Sequence, residues 1–260
     1  MAYDRLLQRL YLVDPEWIIK RAAALLARDL GVRATIDIDV YRDLAREAAQ
    51  SELRAAASAD LGDWFRFEIG RTQAVSDGAP SVRLPVRAYV GPTGWASFYV
   101  DLVGSELRMT GQPDGVLPLA RVGMPDVEQH DCRAYPLVDH VADKIAATFQ
   151  RYGPGEVPST RYKDLVDLVA IVTQAPVDAD LQRTALASVA DRRGIVLPAH
   201  FFVPDRALWE RGYAAEAGRS LLTMGRTLDE ALEIVLPFAD PLLEGNATGR
   251  WIPVDGRWSD

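Results

Sequence analysis

The feature that most constrains this chain is a change of hydrophobic period near residue 135. Before it, apolar residues alternate in runs such as "WFRFEIG" (64–70), "SVRLPVRAYV" (81–90) and "WASFYVDLV" (95–103); after it they recur every three or four residues. A strand sends successive side chains to opposite faces, whereas a helix presents one face every 3.6 residues, so the switch predicts an α+β chain. A sheet-bearing first domain, residues 1–130, is expected to precede a helical domain, residues 131–260. No long flexible linker separates them, and no internal repeat is present.

Within the first half, "PEWIIKRAAALLARDL" (15–30) reads as a largely buried helix, with proline near its start and Gly31 ending it. "TIDIDVY" (35–41) reads as a strand, and 42–63 as an amphipathic helix with a solvated charged face. The three alternating runs, separated by "SDGAP" and "GPTG", predict an antiparallel meander. Pro85 lacks a donor for the ladder, which predicts an edge strand or a bulge there. Residues 104–134 are rich in Gly, Pro and Asp and predict loops with short strands. Five helices are expected beyond Tyr135, beginning with "PLVDHVADKIAATFQRYG" and "RYKDLVDLVAIVTQ".

A single cysteine, Cys132, excludes an intramolecular disulfide and a cysteine metal site, which points to a reducing, cytoplasmic setting. No apolar stretch reaches bilayer length, and the N-terminus mixes charges into its apolar pattern, so neither membrane insertion nor secretion is supported. The net charge of −8 means that any nucleic-acid partner should be held locally. His130, His140 and His200 have no metal-ligand spacing and read as structural. Trp251 and Trp258 read as anchors of the C-terminal tail.

Asp37 and Asp39 stand two apart in an apolar, β-branched strand, so both carboxylates leave the same face. Adjacent like charges on a half-buried strand repel and lose hydration, and a divalent cation would compensate them. Asp101, in "FYVDLV", sits on another expected strand; if the two strands are neighbours, three acids converge. Such a set of hard oxygen donors suits Mg²⁺ or Mn²⁺ and in-line phosphoryl displacement.

A helix, then "RATIDIDVY", then an aspartate on a later strand resembles the nucleotidyltransferase domain of the DNA polymerase β type, which implies a mixed or antiparallel sheet with helices. "YPLVDHVADKIAATFQRYGPGEVPSTRYKDLVDLVAIV" (135–172) resembles the AbiEii family of nucleotidyltransferase toxins, in which a "K-(I/L)-A-A…R" helix is followed by an "(R/K)-D-L-x-D-L" helix. The tail "GRWIPVDGRW" is similar to members of this family as well. The resemblance implies that Asp37 and Asp39 bind metal with Asp101 as a third acid, and that Lys144 and Asp164 belong to the catalytic set. Lys144 and Arg151, seven apart, would share one side of a helix and face a triphosphate; a solvated helix lysine, or one tied to Asp164, is the plainer alternative. Asp164 and Asp167 share a helix face.

One motif departs from the family pattern. Members carry glycines in a "K-G-G-x-A-L" helix start, where exposed amides let the backbone approach the triphosphate. Here the same place reads Lys20-Arg21-Ala22-Ala23-Ala24-Leu25. Either alanine still permits the approach, or Lys20 and Arg21 substitute side-chain charge, or nucleotide binding is weakened; retention of all the acids favours the first two. Arg33 and Thr35, just before the acids, are candidate triphosphate contacts, with a surface arginine and a plain β-former as the alternatives.

The resemblance thus implies a metal-dependent nucleotidyltransferase that moves a nucleoside monophosphate from an NTP to the 3′ acceptor end of tRNA, blocking translation, with an antitoxin encoded nearby in a type IV toxin–antitoxin pair. Transfer to a small molecule or a protein hydroxyl, or a silent nucleotide- or RNA-binding homologue, are the rival readings.

Overall fold

The computed structural model describes residues 1–33, 35, 37–75, 81–120 and 129–259. The turn expected at 76–80, Ile36 of the expected strand and part of the loop-rich segment lie outside the described residues. The chain divides into two compact units: Met1–Asp29 with Thr35–Arg108 and Pro113–Tyr135, and Leu30–Ala34 with Met109–Gln112 and Pro136–Asp260.

The first unit contains α1 (Ala2–Val13), β1 (Ile18–Lys20), α2 (Arg21–Ala27), β2 (Asp37–Tyr41), α3 (Arg46–Ala57), β3 (Phe65–Ile69), β4 (Gln73–Val75), β5 (Ser81–Val90), β6 (Thr93–Val103), β7 (Asp114–Val116) and β8 (Cys132–Ala134). Its mixed sheet runs β3-β5-β6-β2-β1-β8-β7, with β4 also on β5. The expected meander is present, since β5 pairs antiparallel with both β3 and β6. β2 then lies parallel to β6 and antiparallel to β1.

Alternation along the central strands divides apolar from polar. Ile38 and Val40 of β2, Leu84 and Val86 of β5, and Val100 and Leu102 of β6 enter one core with Leu6, Leu7 and Leu10 of α1 and Ala49, Leu53 and Ala56 of α3. Asp37, Asp39, Arg83, Tyr99 and Asp101 are left on the opposite face of those strands. The charges of α1 do not form a solvated stripe. Arg5 and Arg9 are buried and meet Asp63 at 2.5 and 2.7 Å, and Asp4 is buried against Gln129. Buried charges persist where each has a partner.

Two expectations are corrected. The helix read across residues 15–30 begins only at Arg21: Ile18, Ile19 and Lys20 form a strand instead, because β2 and β8 offer them ladder partners on both sides. Nor is Pro85 on an edge strand. It lies between the β4-paired stretch of β5, Ser81–Arg83, and the β3-paired stretch from Val86; there Gly70 N donates to Pro85 O at 2.8 Å, and Gly70 O accepts from Arg54 Nη2 at 2.7 Å, while the register shift falls at Ala88/Tyr89.

The second unit has the five expected helices, α4 (Leu137–Phe149), α5 (Tyr162–Gln174), α6 (Ala179–Arg193), α7 (Arg206–Gly218) and α8 (Leu228–Glu244), and a terminal hairpin of β9 (Trp251–Ile252) and β10 (Arg257–Trp258). Thr227 and Glu230 form a reciprocal cap at the start of α8. Trp251 is buried, donates to Val172 O at 2.7 Å and packs edge-on to Phe238; Trp258 stacks on that same ring. Both tryptophans therefore anchor the tail. Among the described residues no helix is long and apolar enough to cross a membrane.

Candidate active site

β2 and β6 place the acids. In their parallel register Asp39 stands opposite Asp101, and Asp37 opposite Tyr99. All three carboxylates are therefore on one face, with Asp39 and Asp101 buried. The adjoining strands bring positive charge to them in register: Lys20 of β1 opposite Asp39, and Arg83 of β5 opposite Asp101.

Arg83 makes a two-pronged contact with Asp101, Nε to Oδ1 and Nη2 to Oδ2, both at 2.7 Å, and its Nη2 also lies 3.4 Å from Asp37 Oδ2. Its guanidinium sits over the Tyr99 ring, 5.0 Å from the centroid. Hydrogen bonds to Asp101 outweigh partial burial and raise its pKa further, so it is a permanent cation. Arg21 donates from Nη1 to Asp39 Oδ1 at 2.7 Å and stands 3.9 Å from Asp101 Oδ2. Lys20 is buried, with its ammonium 4.3 Å from the centre of the Tyr135 ring. Burial raises the pKa of Asp39, and the Asp101 and Asp37 charges add to the rise, while Arg21 and Lys20 oppose it.

Thr35 supports this strand locally: its hydroxyl donates to Asp37 O at 2.8 Å and accepts from Asp37 N at 3.3 Å. Its position serves the backbone that carries the acids.

Whether these residues fit a divalent cation can be judged from their own donors. Among the described residues, Asp37 Oδ1 is buried without a hydrogen-bond partner, an orphaned acceptor of the hard kind that Mg²⁺ and Mn²⁺ take. Among the same residues no three carboxylate, histidine or cysteine groups stand close enough to hold one ion without rearrangement. The donor set fits; two guanidinium groups hold the carboxylates.

Residues 5–234 match the family described as nucleotidyl transferase AbiEii toxin, type IV toxin–antitoxin system. The chain belongs to the AbiEii family. Nucleotidyl transfer is the activity of that family, and its members are toxins of type IV systems. The chain is similar in structure to MenT4, a nucleotidyltransferase toxin from Mycobacterium tuberculosis, with a TM-score of 0.51 and 17% identity over 75% of this chain and 66% of that one. It thus spans just under two thirds of that relative's length. It is also similar to JHP933 from Helicobacter pylori, with a TM-score of 0.47 and 14% identity over 94% of this chain and 88% of that one. No curated protein matches the chain. The likeness to MenT4 concerns the fold alone, a mixed sheet with helices of the α+β class.

The AbiEii motif residues of the second half gather within the second unit. Lys144 of α4 is buried and bonds to Asp164 at 3.1 Å and Asp167 at 2.7 Å, both on α5. Burial works against the ammonium, but Asp167 and Asp164 outweigh it and raise its pKa. Arg33 also bonds Asp167, Nε to Oδ1 at 2.9 Å and Nη2 to Oδ2 at 3.0 Å, so it shares Oδ2 with Lys144. Burial would raise Asp167, yet Lys144 and Arg33 together lower it. Arg33 is thus a partner of Asp167 in this structure.

The premise that Lys144 and Arg151 share one helix side is corrected. α4 ends at Phe149, Gln150 is extended, and the exposed Arg151 donates to Glu156 O at 2.8 Å across the turn that follows. "RYGPG" carries two glycines and a proline just there, the signal that the helix had ended.

Arg83 and Asp167 are the residues the sequence reading left out of the site. Arg83 alternates with apolar neighbours in "SVRLPV" as the acids do in theirs, and that parity was its only signal.

Proposed function

We propose that the chain is a metal-dependent nucleotidyltransferase that moves a nucleoside monophosphate from an NTP to the 3′ end of tRNA, acting as a translation-blocking toxin in the cytoplasm and opposed by an antitoxin encoded beside it. The observation that carries the reading is the register that puts Asp37, Asp39 and Asp101 on one sheet face.

Asp37 and Asp39 would hold Mg²⁺ or Mn²⁺ through carboxylate oxygens, and Asp101 would help hold a second such ion. When bound, the cation supplies charge neutralisation for a phosphoryl displacement. Asp101 also accepts the hydrogen bond of the acceptor hydroxyl and orients it for attack. Lys20 and Arg21 bring positive charge that an NTP can meet, in place of the glycine amides of the family pattern. Thr35 fixes the Asp37 backbone. Lys144 and Asp164 are assigned to the catalytic set by their place in the motifs, with Arg33 and Arg151 as the weaker candidates for triphosphate contact. Residues 1–130 would be the nucleotidyltransferase core and 131–260 the helical domain.

A polynucleotide acceptor is supported by the sheet face beside the acids. Going outward from Asp37 and Asp101, it carries Tyr99 and Ser97 on β6, Arg87 and Tyr89 on β5, and Arg66 on β3. Arg66, Arg87 and Tyr99 are exposed, and Arg66 lies 4.2 Å from the Tyr89 ring centre. Rings on which bases stack, interleaved with phosphate-binding arginines, are what single-stranded nucleic acid requires; Glu68, the one acid among the described residues of that stretch, pairs with Arg66 and accepts from Tyr89, and Arg87 stands beside them. A locally basic face on a chain of net charge −8 also matches a locally held partner.

The test is end-labelling. Purified chain, Mg²⁺, total bacterial tRNA and each radiolabelled NTP in turn should give labelled tRNA with a preferred nucleotide, and Asp39→Ala should abolish the label. Absence of label with all four NTPs would remove the tRNA reading.

A further inference from the structure

Arg21 occupies a backbone conformation, φ +50°, that glycine adopts freely and that other L residues rarely adopt. It sits at the junction where β1 passes into α2. Burial does not hold it there, because its side chain is 54% exposed. What this conformation delivers is an ionic contact. The guanidinium Nη1 is 2.7 Å from Asp39 Oδ1 and 3.9 Å from Asp101 Oδ2, bridging two carboxylates whose side chains are only 12% and 7% exposed.

The neighbouring charges show why Arg21 differs from the other cations. Arg83 grips both oxygens of Asp101 from a strand position locked by β6 on one side, a two-pronged contact that is costly to open. Lys20 is buried in its strand against the Tyr135 ring. Arg21 reaches the acids from a half-exposed side chain, its Nη1 bonded to Asp39 and 3.9 Å from Asp101. Asp39 is buried, so its charge needs a cation beside it, and Arg21 holds that place until another cation takes it. A divalent cation bound to Asp39 would stand close to the guanidinium, and two cations on one carboxylate repel.

We propose that Arg21 is a built-in counter-cation of the acid site: a positioning residue that holds Asp39 beside Asp101 and must release Asp39 before a divalent cation binds. Arg21 thereby lowers the affinity for the free ion. A triphosphate arriving with its cation offers Arg21 an alternative anionic partner, which makes the ion bind better with nucleotide than alone. This inference rests on the assignment of the acids as metal ligands.

The experiment is Mn²⁺ binding to the full chain without nucleotide, read as the loss of the free-ion electron paramagnetic resonance signal. Arg21→Gly suits the left-handed backbone and removes the charge; Arg21→Gln removes the charge alone; Arg21→Lys keeps it. Both charge-removing variants should bind Mn²⁺ at least fivefold more tightly than the parent, because each leaves the buried Asp39 without its guanidinium, while Arg21→Lys stays within about twofold. If one of the charge-removing variants does not fold, the other decides. Equal affinity in the parent, Arg21→Gly and Arg21→Gln, with binding abolished in Asp39→Asn, would overturn the role of Arg21 and leave the metal site standing. Absence of Mn²⁺ binding in every chain would overturn the metal assignment and this inference together.

Discussion

Asp39 and Asp101 face each other across the parallel pairing of β2 and β6, and each is held by a different arginine. Two buried carboxylates in register cost stability unless the pairing serves a ligand. Asp39→Asn keeps the shape and removes one charge. The rate of nucleotidyl transfer should fall at least 100-fold, on the order expected when a group stabilising the transition state is lost, while the thermal midpoint stays level or rises. A variant with near-parent rate would remove Asp39 from the catalytic set.

Arg83 is the firmer of the two clamps, so its loss should appear in stability first. Arg83→Met leaves Asp101 without its two-pronged partner and Asp37 without its nearest guanidinium. Unpaired buried acceptors cost about 1–3 kcal/mol each, and urea unfolding should show a loss of that size. Adding Asp101→Asn should restore part of it, because the unpaired charge then disappears. Strictly additive losses in the double variant would argue that the two side chains are not coupled.

Much of this architecture was legible in the sequence for a simple reason: periodicity reports which side chains a chain must bury. The alternation around Asp37, Asp39 and Asp101 gave the strands and the common face, and the three-and-four spacing gave the five helices. Partnership was not legible. Ile18 to Lys20 read as helix because alanine and leucine follow, and only the strands on either side of them decide otherwise. The pairing of Asp167 with both Lys144 and Arg33 spans 23 and 134 positions, a separation at which local pattern carries no information. The same holds for Arg5 and Arg9: the N-terminal pattern shows only charges mixed among apolar residues, and their partner Asp63 lies 58 and 54 positions away.

That last cluster sets an acid limit on the first unit. Burial would raise the Asp63 carboxyl, but hydrogen bonds from Arg9 and Arg5 outweigh it and hold the pKa at about 2, below the ordinary 3.8. A depressed carboxyl stabilises the fold above its unfolded pKa, and that contribution disappears as pH falls from near 3.8 toward about 2. The shift is worth about 2 kcal/mol. Asp63→Asn should therefore be less stable than the parent at pH 6 by roughly that amount, with the gap narrowing at pH 2.5. A gap of constant size across that range would show that the ion pairs contribute nothing.

Lys144 is where structure and catalysis must be separated. Its ammonium is buried and bonded to Asp164 and Asp167, and Arg33 bonds both oxygens of Asp167, so the second unit contains a linked set of two cations and two anions. Lys144→Met fills the space and removes the charge. Breaking a buried pair by deleting one partner costs about 3–5 kcal/mol, but Asp167 keeps both bonds to Arg33, so the expected loss lies at or below the lower end of that range. Replacing Asp164 by Asn in the same chain should recover some of it, since less negative charge is then left uncompensated. Activity gives the other half of the test. If Lys144 acts on the nucleotide, the doubly substituted chain stays inactive even where its unfolding midpoint has returned toward the parent. Recovery of labelling in step with recovery of stability would instead make Lys144 a structural member of the α4 and α5 pair. Rates and urea midpoints measured on these chains together with Asp164→Asn alone distinguish the outcomes, because the single variant shows how much of any lost turnover belongs to Asp164 and not to Lys144.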